Sequence, residues 1–275
     1  MEFHAYESKC HVSQFRLVLI NNSISSIELL IYNSTTMSKE PTNSYDVDIR
    51  DMRVKYKNRN ETFTEEDLVS KEPIGQFKAW FEEACKTPEI FEPNAVLLGT
   101  ATKDGLPSVR PVLLRGYSVE GFKFYTNYGS RKSKELEENP NAGMTFYWGP
   151  LHRVIRIEGT VEKTSAEDSD EYFNSRPFKN QIGSMISNQS TTIANREILL
   201  AKEKELLDQY TEENIKRPDW WGGYIIKPKS VEFWQGQSNR LHDRILFRRP
   251  MPGESIDNIL VHTGENGWVY ERLSP

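Results

Sequence analysis

The stretch AVLLGTATKDGLPSVRPVLLRGYSVEGFKFYTNY (residues 95–128) decides the fold class. Three apolar runs of strand length, AVLLGTAT, PSVRPVLLRGYS and FKFYTNY, are separated by the turn signals Lys103-Asp104-Gly105 and Val119-Glu120-Gly121. Three such runs in succession predict a β-meander. Upstream the period changes: in PIGQFKAWFEEACK (73–86) Ile74, Phe77, Trp80, Phe81 and Ala84 share one stripe behind Pro73, which predicts a helix closed by Pro88 and Pro93. Downstream, SRKSKELEENP predicts a short helix stopping at Pro140, and AGMTFYWG and RVIRIEGTVEKT predict two strands joined around Pro150. Ser165 and Asp168 form a capping-box pattern before the helical AEDSDEYFNSR. NREILLAKEKELLDQYTEE predicts a longer helix with Leu199, Leu206 and Tyr210 inward, and strand character returns in GGYIIKPKSVEFWQG, RILFRR and GWVYERL. The chain is therefore expected to be mainly β with α (α+β), an antiparallel barrel decorated by helices.

Composition limits the function. The chain has 275 residues, 37% hydrophobic and 11% aromatic, enough to bury one large core. A net charge of −5 argues against a nucleic-acid protein with a broad basic face, while a local anion site stays open. Cys10 and Cys85 form no C-x-x-C pair, which fits a reducing, cytoplasmic setting and argues against a disulfide scaffold. The five histidines show no H-x-x-x-H spacing, so no metal is expected. No segment is apolar enough to span a membrane, the best run (15–33) being broken by Asn21, Asn22 and serines. Residues 1–45 are expected to be a variable extension outside the fold, 46–72 an arm or lid, and 73–275 the folded domain. G-x-G-x-x-G, G-x-x-x-x-G-K-[ST] and G-x-S-x-G are all missing, which argues against Rossmann, P-loop and nucleophile-elbow chemistry.

Three clusters favour anions. Arg110 and Arg115 lie in one predicted strand. Ser130, Arg131 and Lys132 open a predicted helix, where free N–H groups, the helix dipole and adjacent cations suit a phosphate. Ordinary solvated charge is the plainer account of the same residues. The third cluster is VEFWQGQSNRLHDRILFRR (231–249). If it is extended, Arg240, His242 and Arg244 project from one face with Asp243 on the other. Three basic groups together repel unless an anion or acid lies among them; a buried ion-pair cluster through Asp243 or Glu232 is the alternative. Trp234 suits either a core or the face of a flat cofactor. His152 reads as a surface residue.

Taken together, RPVLLRG, FYTNYGSRKSKELEENP, YFNSRP, QIG, NQS, VEFWQGQSNRLHDR and the closing YERLSP strongly resemble the pyridoxine-5′-phosphate oxidase (pyridoxamine-phosphate oxidase) family, from about residue 52 to 275. The resemblance implies an FMN-binding split β-barrel, antiparallel and Greek-key-like, in a homodimer with the flavin between subunits. It implies oxidation of pyridoxine 5′-phosphate or pyridoxamine 5′-phosphate to pyridoxal 5′-phosphate, by hydride transfer to flavin N5 with O2 reduced to H2O2. FMN contacts then fall on Arg110, Pro111, Val112, Leu113, Tyr125, Thr126, Arg131, Lys132, Gln189, Ser190, Trp234 and Arg244. Substrate contacts fall on Arg115, Tyr172, Arg176 and Asn180, on Arg240, Leu241 and His242, and on Arg53 and Tyr56 in the lid. Arg240 and His242 are the expected catalytic pair. Three positions depart from the family pattern: Arg115 for lysine, Val154 for a flavin-contacting glutamine, and Asn180 for serine. Val154 loses a hydrogen bond, so an active enzyme with weaker FMN binding or a reduced rate is expected. The competing readings are a catalytically weak FMN- or pyridoxal-phosphate-binding relative and a single-stranded nucleic-acid module using Trp234, which the net charge disfavours.

Overall fold

The computed structural model describes residues 49, 50, 56 and 62–275. Contacts divide the chain into units Met1–Arg53 and Val54–Pro275, and the second carries the fold. The expected extension 1–45 and Arg53 lie outside the described residues.

Among the described residues the strands are β1 (Ala95–Ala101), β2 (Pro107–Leu113), β3 (Gly116–Ser118), β4 (Gly121–Asn127), β5 (Asn141–Trp148), β6 (Arg153–Lys163), β7 (Trp221–Gln235), β8 (Asp243–Arg248), β9 (Val261–Thr263) and β10 (Val269–Arg272). The helices are α1 (Pro73–Lys86), α2 (Arg131–Glu138), α3 (Ala166–Asn174), α4 (Phe178–Met185) and α5 (Glu197–Gln209). All pairing is antiparallel, in the order β2-β1-β5-β6-β7-β8-β10-β9. Strand β7 is the hub. Its Tyr224–Gln235 stretch pairs with β6, while its other edge takes β4 along Trp221–Ile226 and β8 along Ser230–Gln235.

The predicted meander forms, with its second run divided into β2 and β3. β1 and β2 form a hairpin, closed by Gly105 at φ 84°, and β3, the end of the same run, pairs with β4, which also pairs with β7. Gly121 explains the β4–β7 pairing. Its φ is 147°, and a Cβ there would lie 2.1 Å from the Ile226 carbonyl oxygen, so only glycine lets β4 dock this closely on β7. The Arg115 N–H then donates to the Lys123 carbonyl at 2.9 Å, drawing the end of β2 toward β4 and curling the sheet into a barrel. The predicted α1, α2, α3 and α5 form, while α4 and β9 carry no periodic signal.

Helix α1 plugs the barrel. Pro73 stands in its first turn, and the Glu72 carboxylate caps it by accepting the Ile74 N–H at 2.9 Å and the Gly75 N–H at 2.5 Å. Its apolar stripe sends the fully buried Phe77 against Phe122 and Phe146, with ring centroids at 4.9 and 5.4 Å, and Trp80 against Phe233 at 5.2 Å. Truncating a core Phe of this kind costs about 3–5 kcal/mol. A second, smaller core of Phe173, Ile182, Leu206, Ile215 and Trp221 packs helices α3 to α5 onto the start of β7. Phe63, from the segment expected to be an arm, is buried against Trp80 at 4.8 Å.

Candidate active site

Between the β2–β4 end of the barrel and helices α2 to α4 lies a cavity of about 780 Å³, a typical size for a cofactor site. Its walls gather Arg110, Pro111, Val112, Leu113, Tyr125, Thr126, Arg131, Lys132, Gln189 and Ser190 from the expected flavin contacts. Arg115, Tyr172, Arg176 and Asn180 of the expected substrate contacts line it as well. Lys179 and Trp221 also line it, and no carboxylate is among its lining residues.

The cavity has two cationic ends. At one, Lys132 is only 7% exposed, and its ammonium donates to Thr126 Oγ1 at 3.0 Å, Ser130 Oγ at 3.3 Å and Gln189 Oε1 at 2.7 Å. Burial, reinforced by the nearby Arg110 charge, pulls its pKa down to about 8. The N-terminus of α2 opens beside it, with the Arg131 N–H donating to Ser190 Oγ at 3.2 Å. Solvated surface charge is thus the wrong account of Lys132. Behind this end lies Glu135, which accepts from Thr100 Oγ1 at 2.5 Å, Ser108 Oγ at 2.6 Å and Arg131 Nε at 2.7 Å.

At the other end Arg176 and Arg115 flank one aromatic ring, each guanidinium carbon 5.9 Å from the centroid of Tyr172. Arg176 also lies 5.2 Å from the Trp221 ring and donates to Ser184 Oγ. Tyr125 stacks on Tyr172 at 3.9 Å. Burial and the hydrogen bond from its hydroxyl to Asp168 Oδ2 (2.7 Å) both raise the Tyr125 pKa, so the phenol stays protonated. Asp168 therefore does only half of the predicted capping box. Its N–H donates to Ser165 Oγ at 3.1 Å, but its carboxylate turns to Tyr125 and Lys123.

The remaining expected residues lie elsewhere. Trp234, Arg240, Leu241, His242 and Arg244 sit at the far end of β7 and in the turn to β8, and none lines the cavity. Trp221 and Trp234 stand 13 residues apart on one strand, roughly 40 Å of chain path. The extended arrangement expected for 240–244 is also corrected: β8 begins only at Asp243, and Arg240 has φ 65°. A turn forms instead because Gln237 O accepts the Arg240 N–H at 3.3 Å and Asn239 Oδ1 accepts the Leu241 N–H at 2.9 Å.

Within that turn His242 is well oriented. Its Nδ1 accepts the Gln237 N–H at 2.9 Å, which leaves the neutral ring's proton on Nε2. Burial, then the Arg240 charge, lowers its pKa and keeps it neutral. Its ring lies 4.7 Å from Trp234 and 6.2 Å from Tyr56, and the Tyr56 carbonyl accepts from Ser238 Oγ at 2.8 Å. His152, expected at the surface, is half-buried with its ring 4.5 Å from Tyr56. Arg244 donates to Glu232 Oε1 at 2.7 Å, and Asp243 accepts from Arg272 at 2.8 Å, so the ion-pair alternative holds for this part of the cluster.

One sheet face joins the two regions. Cross-strand register places Pro111, Leu97, Thr145, Arg156 and Glu232 in one row, and Tyr147, Val154, Trp234 and Arg244 in the next. Leu97 (45% exposed), Val109 (65%) and Tyr147 (66%) are bare on it. The opposite face carries the buried Leu98, Met144, Phe146, Ile155 and Phe233. A bare apolar sheet face of this kind marks an association surface.

Sequence reading missed Glu135, Thr100, Ser108 and Asp168. Glu135 follows Arg131 by four positions, a helical spacing that flags it. Thr100 and Ser108 meet only through the β1–β2 register, which no local signal reveals.

No helix among the described residues is long and apolar enough to cross a membrane. Among them, no group of three His, Cys, Asp or Glu side chains is placed to hold a metal.

The chain is similar to known proteins in both sequence and fold. Residues 81–210 match a family described as pyridoxamine 5′-phosphate oxidase, and 221–275 match the pyridoxine 5′-phosphate oxidase C-terminal dimerisation region. The chain is 58% identical over 231 residues to a pyridoxine/pyridoxamine 5′-phosphate oxidase of Bombyx mori, covering 83% of this chain and 90% of that one. It is 51% identical over 230 residues to the pyridoxine-5′-phosphate oxidase of Bos taurus, covering 83% and 88%. Among solved structures, PhzG from Burkholderia lata in complex with tetrahydrophenazine-1-carboxylic acid superposes with a TM-score of 0.68 at 30% identity, covering 78% of this chain and 98% of PhzG.

Proposed function

Because this chain belongs to the pyridoxine/pyridoxamine 5′-phosphate oxidase family, we propose that its cavity takes FMN and a phosphorylated vitamer together, and that a second copy supplies the β7–β8 turn. The chain is an enzyme, an FMN-dependent oxidase of vitamin B6 metabolism that converts pyridoxine 5′-phosphate or pyridoxamine 5′-phosphate to pyridoxal 5′-phosphate. Its fold is the split barrel of that family, and its C-terminal dimerisation region supports a homodimer. When bound, FMN supplies the two-electron acceptor for the C4′ hydride, with O2 as the terminal oxidant giving H2O2.

One observation carries the proposal: a single cavity with cations at both ends and no carboxylate in its lining. Two phosphate-bearing ligands side by side need this arrangement. The residues fit FMN on physical grounds. Lys132 is buried beside a helix N-terminus with only neutral oxygen acceptors, an arrangement that a phosphate completes. At the other end Arg115 and Arg176 hold the vitamer phosphate, with the Tyr172 ring fixing the spacing between them.

The β7–β8 turn supports the dimeric half of the reading. Trp234 and Arg244 lie on the bare sheet face that also carries Pro111 at the cavity rim. Two copies packed through that face about a two-fold axis bring the turn of one to the cavity of the other. His242 then offers its Nε2–H to the vitamer ring, and Arg240 orients the substrate and stabilises negative charge developing near the flavin. Closing the cavity in this way excludes water and holds the C4′ carbon in attack geometry.

The experiment is flavin absorbance of the purified protein, followed by oxygen uptake with each phosphorylated vitamer and with pyridoxine. Yellow protein and uptake dependent on the vitamer phosphate are expected; equal uptake with unphosphorylated pyridoxine defeats the two-phosphate assignment.

A further inference from the structure

Glu135 stands behind the Lys132 end of the cavity without lining it. It is 4% exposed, and among the described residues its carboxylate takes hydrogen bonds from four side chains. Oε1 accepts from Arg131 Nε at 2.7 Å, and Oε2 accepts from Thr100 at 2.5 Å, Ser108 at 2.6 Å and Arg110 Nη2 at 3.3 Å. Burial alone raises a carboxyl pKa, but these donors outweigh it and hold Glu135 at about 2, permanently ionised.

We infer that Glu135 is a positioning residue for the cofactor phosphate, aiming the guanidinium groups of Arg110 and Arg131; this rests on the FMN reading above. Three features separate this from a fold-stabilising ion pair. First, Arg131 and Glu135 are an i,i+4 pair with the cation N-terminal, the order that opposes the helix dipole and stabilises a helix least. Second, a guanidinium is planar, so pinning Nε of Arg131 fixes the direction of both Nη groups. Those Nη groups bond to nothing among the described residues, and the side chain is 55% exposed while its partner is buried. Third, Arg110 spends both Nη groups on Leu98 O, Thr100, Ser108 and Glu135, so its remaining donor, Nε, is rigidly set.

Charge alone predicts the opposite effect. A carboxylate this close weakens the cationic field, so its removal tightens anion binding if field strength decides. Aim predicts the reverse, because Glu135→Gln turns an acceptor of three donors at Oε2 into a group that places an amide donor among them.

The test titrates apoprotein with FMN and with riboflavin, which lacks the phosphate, following flavin fluorescence for wild type, Glu135→Gln and Glu135→Asp. Wild type is expected to prefer FMN. Glu135→Gln is expected to lose on the order of tenfold or more in FMN affinity, with riboflavin affinity held within about twofold. Glu135→Asp, which keeps the charge on a shorter stem, regains part of the FMN preference. Equal losses for both flavins assign Glu135 to the scaffold and overturn the inference, as does tighter FMN binding. If circular dichroism shows Glu135→Gln unfolded, Glu135→Asp carries the test, and an unchanged FMN-to-riboflavin ratio overturns the inference. A wild type that fails to distinguish the two flavins refutes the FMN reading itself.

Discussion

The cavity beside α2 and the turn between β7 and β8 use the same kinds of side chain, arginines, glutamines and aromatic rings, yet the first holds its cations more firmly than the second. In the cavity each cation has a fixed place: Lys132 among three oxygens, Arg110 and Arg131 on Glu135, Arg176 between two rings. In the turn Arg240 and Leu241 are exposed, and Arg244 is held by Glu232. Preorganisation inside the chain suits the group that stays bound. The more open turn suits a surface completed by a second copy, where the reactants meet.

The largest effect is expected from separating the two regions. Leu97→Asp with Tyr147→Asp places charge on the bare face without touching the core, so the chain stays folded. Sedimentation is expected to show monomer, and oxygen uptake to fall at least about a thousandfold as the turn leaves the cavity. Retained dimer with retained activity breaks the two-copy scheme.

Next in size, Arg240→Ala is expected to lower kcat/KM about a hundredfold with FMN affinity unchanged, and Arg176→Ala to do the same chiefly through KM. Wild-type turnover and substrate affinity in Arg240→Ala sink its assigned role. Mixing the two variant chains sharpens the point. A heterodimer regains one intact site, so random exchange restores about a quarter of wild-type activity. No recovery places cavity and turn in the same chain.

Lys132 gives a pH signature. Its folded pKa, about 8, lies below its ordinary value of 10.5. The cost of burying the charge is therefore present below pH 8 and is relieved as pH rises toward 10.5, so apoprotein stability from this group rises across that window. Phosphate binding restores the proton, so FMN affinity is expected to fall above about pH 8, by at most about tenfold per pH unit. A Lys132→Met profile as steep as wild type removes Lys132 as the cause.

The smallest effect belongs to Val154, which neighbours Trp234 on the bare face. Val154→Gln is expected to strengthen FMN binding about fivefold, one hydrogen bond of roughly 1 kcal/mol. Unchanged affinity argues that the face offers no acceptor for it.

Much of this was legible in residue order. The stripe of α1, the turns at Gly105 and Gly121, and the motifs around Arg131, Arg176 and Trp234 are local signals, and the elements formed where they pointed. The pairing of β4 with β7 was not legible, because it depends on a contact between Gly121 and Ile226, residues far apart in sequence. Nor was the 240–244 turn: alternation alone predicts an extended strand, whereas Gln237 and Asn239 close a loop by side-chain and backbone hydrogen bonds.

The sequence by itself determined which chemistry this chain carries, because cations, aromatic rings and amides at motif spacing are properties of residue identity. Tertiary structure decided which of those groups share a cavity. Strand register and helix packing bring Thr100, Ser108 and Arg110 to Glu135, while the length of β7 holds Trp234 away from Trp221. A strand rises a fixed distance per residue, so Trp221 and Trp234, at opposite ends of β7, are kept apart whatever their chemistry.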